Sequence, residues 1–329
     1  MVMAAVIDGK GAPEVFQWRQ VDVAAPGPGE VRLQHTAIGV NYADTYHRRG
    51  INHPIFVPEP PVVLGFEAVG RVEAVGDGVT GFREGDTAAY GLPPLGAYAE
   101  ARVYPAETLI PVPDGIDDVA LAGVLMKGMT AQYLLKRTYA VQPGDWVLVH
   151  AAAGGMGHVL CPWARHLGGR VIGTVSNAEK AAIAERLGCH HVVNYSEEDF
   201  AARVREITDG AGCHVVYESI GKATLQRSLD CLRPMGMCAA YGHASGAPDP
   251  VDIITDLGKR GSLFITRPAV HHYLAKREDL LTAANELFEV MASGVVESTV
   301  NYTYPLKDAA AAHAAIEARR TTGSTVLLP

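Results

Sequence analysis

The chain predicts a doubly wound, parallel α/β sheet joined to a compact, mostly β unit. Two observations carry this. From Trp146 onward, short apolar runs alternate with amphipathic helical stretches. Before Asp117, the chain consists of short alternating runs broken by Gly and Pro.

Taken in order, Met1 to Lys10 alternates like a strand. Val31 to Leu33, Val69 to Val75 and Thr87 to Tyr90 read as further strands. Pro26 to Gly29 and Val57 to Pro61 read as loops. Val119 to Tyr139 predicts one or two helices, interrupted at Gly123 and Gly128. The alternation then begins. Strands are predicted at Trp146–His150, Arg170–Val175, His191–Asn194, His214–Ser219, Met237–Gly242 and Gly261–Thr266. Helices are predicted at Gly155–Leu167, Ala178–Leu187, Phe200–Thr208 and Ala223–Leu232. Pro162 lies inside the first of these helices, where an interior proline predicts a kink. Helices at Asp279–Ser293 and Lys307–Ala318 and a closing strand at Ser324–Leu328 complete the pattern.

The composition narrows the function classes. Of 329 residues, 48% are hydrophobic and 19% charged, which suits two buried cores. No run of about 20 apolar residues is free of charge, Gly or Pro, so no membrane span is expected. The N-terminus lacks a signal-peptide pattern, which points to the cytoplasm. The net charge of -8 argues against nucleic acid as a main partner. The five cysteines, Cys161, Cys189, Cys213, Cys231 and Cys238, form no CxxC and are expected to be buried thiols.

The strand from Trp146 to His150 runs into Ala151-Ala152-Ala153-Gly154-Gly155-Met156-Gly157 and then a helix. A dinucleotide needs such a turn: the backbone doubles back, approaches the pyrophosphate closely, and offers the N–H groups of a helix start. An NAD site usually carries Asp or Glu at the end of the second strand, for the ribose 2′-hydroxyl. Here Val175-Ser176-Asn177 has no acid there. Ser176 and Lys180 are candidates for a 2′-phosphate, so NADPH is the expected cofactor.

A catalytic zinc needs thiolate, imidazole and carboxylate ligands. All five cysteines lie in or beyond the dinucleotide-binding segment, none in the N-terminal third, and His35, His47 and His53 form no paired ligand motif. No metal is expected. Quinones, or alkenes conjugated to a carbonyl, accept hydride without strong metal polarisation, so they are the expected acceptors.

Several stretches together resemble the medium-chain dehydrogenase/reductase superfamily, specifically its zinc-free NADPH:quinone oxidoreductase branch related to zeta-crystallin. They are Ala37 to Tyr46, Leu64 to Gly70, Lys127 to Tyr133, Ala151 to Gly157, Asn194-Tyr195, Ser262 to Pro268 and Gly323-Ser324. The resemblance covers essentially the whole chain. It implies a GroES-like catalytic domain built from both chain ends (1–123 and 267–329) around a Rossmann NADPH-binding domain (124–266). Phe66 stands where zinc-dependent relatives place a His ligand.

The resemblance also assigns a site. Asn41, Tyr42, Thr45 and Tyr46 match residues near the nicotinamide. Lys127, Thr130 and Tyr133 match residues beside its ribose and carboxamide. Gly154, Gly155, Met156 and Gly157 form the phosphate turn, and Ser176, Lys180 and Tyr195 surround the 2′-phosphate end. Ser219, Gly242, Ser245, Phe264, Thr266, Arg267 and Arg319 match further cofactor contacts. His243 departs from the Asn often found in relatives. A homodimer through edge pairing of the Gly261 to Thr266 strand is implied.

The expected reaction is metal-free hydride transfer from NADPH to a quinone. Tyr46 is the candidate proton donor and Asn41 the candidate polariser; both could instead only pack against the nicotinamide. Reduction of α,β-unsaturated ketones or aldehydes is the alternative. A crystallin-like structural role or RNA binding is a third class, disfavoured by the acidic balance.

Overall fold

The computed structural model describes residues 1–51 and 58–329. His53 and the first residue of the loop expected from Val57 lie outside them. In chain order the elements are β1 (Val2–Ile7), β2 (Phe16–Val21), β3 (Glu30–Val40), α1 (Tyr42–Arg49), β4 (Val62–Val63), β5 (Glu67–Val75), β6 (Thr87–Tyr90), β7 (Ala101–Pro105), β8 (Ile110–Pro111) and α2 (Asp118–Tyr133). There follow β9 (Trp146–Val149), α3 (Gly157–His166), β10 (Arg170–Val175), α4 (Ala178–Arg186), β11 (His191–Asn194), α5 (Phe200–Ile207), β12 (Cys213–Glu218), α6 (Leu225–Asp230) and β13 (Leu232–Ala240). The last are β14 (Phe264–Thr266), α7 (Val270–Tyr273), α8 (Arg277–Ala292), β15 (Val300–Pro305), α9 (Ala309–Glu317) and β16 (Ser324–Leu328).

Two compact units result. The first comprises Met1–Met129, Leu274–Asn285 and Ser298–Pro329; the second comprises Thr130–Tyr273 and Glu286–Glu297.

The first unit is mostly β. Its larger sheet has the order β15-β16-β3-β5-β6-β8, with β7 also on β3. The smaller sheet is β2-β1-β4. β3 is a long strand because its inward residues, Val31, Leu33 and Ile38, are fully buried beside Tyr90, Tyr98 and Tyr104. His35 on β3 is a buried structural histidine. It bonds Ala99 O at 2.6 Å and Tyr90 OH at 3.0 Å, and burial lowers its pKa to about 4. The tyrosine rings of Tyr90 and Tyr104 stack at 4.1 Å, with the Arg102 guanidinium over both.

The second unit holds a six-stranded parallel sheet ordered β11-β10-β9-β12-β13-β14. The chain builds outward from β9 to β11, then returns beside β9 with β12. That reversal makes the C-terminal ends of β9 and β12 the ligand edge of such a sheet. Val147, Leu148 and Val149 are fully buried, as expected for a central strand covered on both faces. All five cysteines are free and buried.

Several elements differ from expectation. β2, α1, β4, β7, β8, α7 and β15 lie outside the elements the sequence predicts. α6 is shorter than the expected Ala223–Leu232 helix because Leu232 already pairs in β13, opposite Cys213. The strand expected from Gly261 shrinks to Phe264–Thr266, since Gly261 (φ 119°) and Ser262 (φ 58°) turn the chain first. α2 runs through Gly123 and Gly128 unbroken. A π-helical turn, Leu134–Thr138, then ends the helical run before Tyr139.

Candidate active site

In the first unit, Asn41 ends β3 and caps α1. Its backbone N–H donates to the Asp44 carboxylate at 2.8 Å, and Gly50 closes the helix in the left-handed conformation (φ 69°). This explains a helix in a segment without apolar periodicity. The cap also sets the four residues expected near the nicotinamide. Thr45 Oγ1 donates to Tyr42 O at 2.7 Å, and the Tyr42 and Tyr46 rings meet edge-on at 5.3 Å. Tyr46 is buried, and Tyr42 is half-buried.

The Asn41 side chain is held from behind. Its Nδ2 donates to Glu67 Oε2 at 2.7 Å, while Glu67 Oε1 accepts the Met126 N–H at 2.6 Å. Glu67 is fully buried. A Cβ on Gly39 would sit 2.3 Å from Glu67 Oε2 and 2.2 Å from Ala122 O, so only glycine leaves room for this carboxylate. Burial raises the Glu67 pKa, opposed first by the charge of Lys127. Lys127 is itself buried, and its Nζ has no hydrogen-bond partner among the described residues.

A second chain runs from Asp44 to the surface. Tyr98 OH donates to Asp44 Oδ2 at 3.0 Å, so its oxygen accepts from His313 Nε2 at 2.9 Å. His313 Nδ1 is then the acceptor for Arg48 Nη1 at 3.1 Å. Arg48 completes the chain with Glu317 at 2.6 Å. This order requires a neutral His313, consistent with a pKa lowered to about 3 by burial and by Arg48. Burial raises Asp44 to about 7, against the hydrogen bonds from Asn41 and Tyr98. None of Glu67, Tyr98, His313 or Arg48 was singled out from the sequence. An acid inside an apolar strand, Phe66-Glu67-Ala68, was the available signal.

In the second unit the turn after β9 has the expected form. Ala151 takes a positive φ of 52°. Gly154 N bonds Ala151 O at 2.8 Å, and Ala152 N bonds Thr174 O at 3.0 Å. A Cβ on Gly157 would lie 2.0 Å from Ala152 O, so the helix start can approach the turn only as glycine. α3 begins there and continues across Pro162 to His166.

At the end of β10, Asn177 Oδ1 caps α4 by accepting from Lys180 N at 2.9 Å. Tyr195 N bonds Val175 O, and Ser196 Oγ donates to Ser176 O. No acid occupies this strand end. After β12 and β13, the loops bearing Ser219, Gly242 and Ser245 are laced together. Ser245 Oγ donates to Ile220 O at 2.7 Å and accepts from Ala223 N at 2.9 Å. Thr130 and Tyr133 are buried on α2, with the Tyr133 ring stacked on Tyr273 at 4.3 Å. Thr266 pairs with Ala239, while Phe264 stands 56% exposed on the edge strand. Arg267 Nη2 lies 3.4 Å from His243 Nδ1, which must therefore accept; burial and Arg267 lower the His243 pKa. Arg319, in the first unit, has a positive φ of 56° and depresses the Tyr42 pKa that burial raises.

Zinc does not fit these residues. Among the described residues, no three His, Cys, Asp or Glu side chains gather as a metal-binding group. Phe66 is fully buried, its ring 4.8 Å from that of His47.

Known proteins with this arrangement are numerous. Residues 27–114 match the family described as alcohol dehydrogenase GroES-like domain, and residues 155–302 match the family described as zinc-binding dehydrogenase. A 2-haloacrylate reductase from a Burkholderia species is 62% identical over 331 residues, covering 100% of this chain and 99% of the relative. A quinone oxidoreductase from Pseudomonas aeruginosa is 47% identical over 97% of both chains. The crystal structure of the Escherichia coli quinone oxidoreductase complexed with NADPH superposes with a TM-score of 0.96 at 42% identity, covering 99% of this chain and 100% of that one. With fold, turn and full-length similarity in agreement, the chain belongs to the medium-chain dehydrogenase/reductase superfamily, in its quinone-oxidoreductase-like group.

Proposed function

We propose that this oxidoreductase uses NADPH to reduce double bonds conjugated to a carbonyl or carboxyl group, with 2-haloacrylate-like acids as the leading substrate class. The observation that carries this is the 62% identity, end to end, with a protein named 2-haloacrylate reductase. The acid-free end of β10, with Ser176 and Lys180, supports the 2′-phosphate of NADPH over NADH. NADPH supplies a hydride at its nicotinamide. The turn from Ala151 to Gly157 would hold the pyrophosphate, and Ser176, Lys180 and Tyr195 the 2′-phosphate.

The chain's own contribution is orientation and polarisation. Glu67 takes one Asn41 N–H, which leaves the second N–H to donate to an acceptor oxygen. Tyr46 is the candidate to deliver the proton that balances the hydride. With Tyr46→Phe, a fall in turnover at unchanged NADPH affinity is expected; unchanged turnover removes Tyr46 from the chemistry.

Quinone reduction is the second reading, supported by the 47% identity with a quinone oxidoreductase. Steady-state assays with 2-chloroacrylate, an enone and 1,4-naphthoquinone side by side test both. The leading reading expects the highest kcat/KM on the acrylate, and a preference for naphthoquinone overturns it. The assembly proposed is a homodimer joined along β14. It is supported by the position of that strand at the end of the sheet, unpaired on its outer side among the described residues, and by exposed Phe264, Met235, Ile253 and Ile254.

A further inference from the structure

Beneath the phosphate turn, the second unit buries a polar cluster that the reaction does not use. Thr174, Ser228 and Glu218 are fully buried and His150 is 2% exposed. His150 Nδ1 lies 2.8 Å from Thr174 Oγ1, and Nε2 lies 2.9 Å from Ser228 Oγ. Ser228 Oγ donates to Glu218 Oε2 at 2.6 Å. Glu218 Oε1 accepts the N–H groups of Ile220 and Gly221 at 2.6 and 3.1 Å.

One proton order satisfies every bond of this chain with Glu218 as a carboxylate, whose Oε2 also lies 3.5 Å from His150 Nε2. The single Ser228 proton goes to Glu218, nearer than its alternative Thr224 O at 2.9 Å. Ser228 Oγ must therefore accept from His150, so Nε2 carries the imidazole proton. Nδ1 of the neutral ring is then a lone pair, which takes the Thr174 hydroxyl proton. The order is Thr174 to His150 to Ser228 to Glu218.

Its ends are tied to ligand loops. Thr174 O holds Ala152 of the glycine-rich turn. His150 is the residue immediately before that turn, and Thr174 lies two residues before Ser176. Glu218 fixes the loop that starts at Ser219, and Ile220 of that loop holds Ser245. The chain thus links the C-terminal ends of β10, β9 and β12, three neighbouring strands at the ligand edge of the sheet. Around it the sheet packs an apolar core that includes Leu148, Ile172, Val193 and Val216. Burying a carboxylate where apolar packing would serve is unfavourable unless its geometry is needed.

The geometry points to the Thr174–His150–Ser228–Glu218 chain as a positioning device for the dinucleotide: it presents three loops together and sets NADPH affinity without touching the reacting atoms. This rests on the NADPH reading given above. Thr174 separates the device from simple packing. Thr174→Val keeps the shape and loses the proton donor; Thr174→Ser loses a methyl and keeps the donor. The device predicts that Val weakens NADPH binding about tenfold or more, the effect of one buried acceptor left unpaired, and that Ser binds more tightly than Val. It also predicts that kcat at saturating NADPH and the KM for the electron acceptor change far less. Packing predicts the reverse order, Ser worse than Val.

The test is NADPH fluorescence titration of the full-length wild type and both variants, with steady-state kinetics. It is joined by nitrogen NMR of the His150 ring in the NADPH-bound wild type, which should show protonated Nε2 and unprotonated Nδ1. Equal affinities in wild type and Thr174→Val, a Ser variant weaker than Val, or the opposite His150 tautomer would each overturn the proposal. Absence of NADPH binding by the wild type would instead overturn the cofactor reading on which it stands.

Discussion

Glu67 joins two functions in one carboxylate: it orients the Asn41 amide and anchors the Met126 N–H. Glu67→Gln keeps the volume but brings an N–H against one of those donors. The expected result is a loss of kcat/KM on the order of tenfold to hundredfold, the scale of a misplaced catalytic group, measured with acceptor at saturating NADPH. Histidines give a second prediction at this scale. His35 and His47 are lowered to about 4 and His313 to about 3, mainly by burial. Their unfolded pKa is about 6.5. A lowered pKa contributes stability that is present above 6.5 and lost as pH falls through the folded value. Each withdraws about 2 kcal/mol between pH 8 and 5. Asp44, raised to about 7, runs the other way: its contribution is present below its unfolded pKa and lost as pH rises through 7. It restores roughly 3 kcal/mol across the same window. Urea midpoints should therefore fall on acidification from pH 8 to 5. A flat profile would contradict the neutral buried histidines.

At the level of elements, caps and turns explain what periodicity misses. α1 carries Tyr, Asp, Thr, His and Arg, and stands because Asn41, Asp44 and Gly50 terminate it. α3 spans Pro162 as one helix, so the His158 carbonyl lacks its usual donor four residues on. Pro162→Ala should stabilise the protein, by up to about 3 kcal/mol, read as a higher urea midpoint. Gly157→Ala should do the opposite. Its Cβ would lie 2.0 Å from Ala152 O, so the turn must open. Loss of NADPH binding, with far-ultraviolet circular dichroism retained, is the expected signature.

For the whole molecule, the open question is assembly. β14 ends the six-stranded sheet, with no further strand on it among the described residues; Phe264 on it is 56% exposed and Ile253 is 74% exposed. A strand edge of this kind is a template for pairing with a second copy. Light scattering coupled to size exclusion should show a dimer. Phe264→Glu with Ile253→Glu should shift it to monomer. A monomeric wild type would remove the dimer reading.

The sequence alone determined the parallel α/β sheet, the order of its strands along the chain and the dinucleotide turn. β10, β11, β6 and β16 match their predicted bounds. These features depend on local periodicity and on glycines that a close approach requires, and both are written within a few residues. The glycine turn, Ser176 and Lys180 were legible in the residues themselves; family resemblance supplied the other candidate site residues. Only the tertiary structure brought Glu67 to Asn41, His313 to Tyr98 and Glu218 to His150, partners 26, 215 and 68 residues apart. No local pattern encodes such pairs. A buried acid reads like an exposed one until the fold removes its water, and the need for hydrogen-bond partners then dictates which distant side chains must meet it.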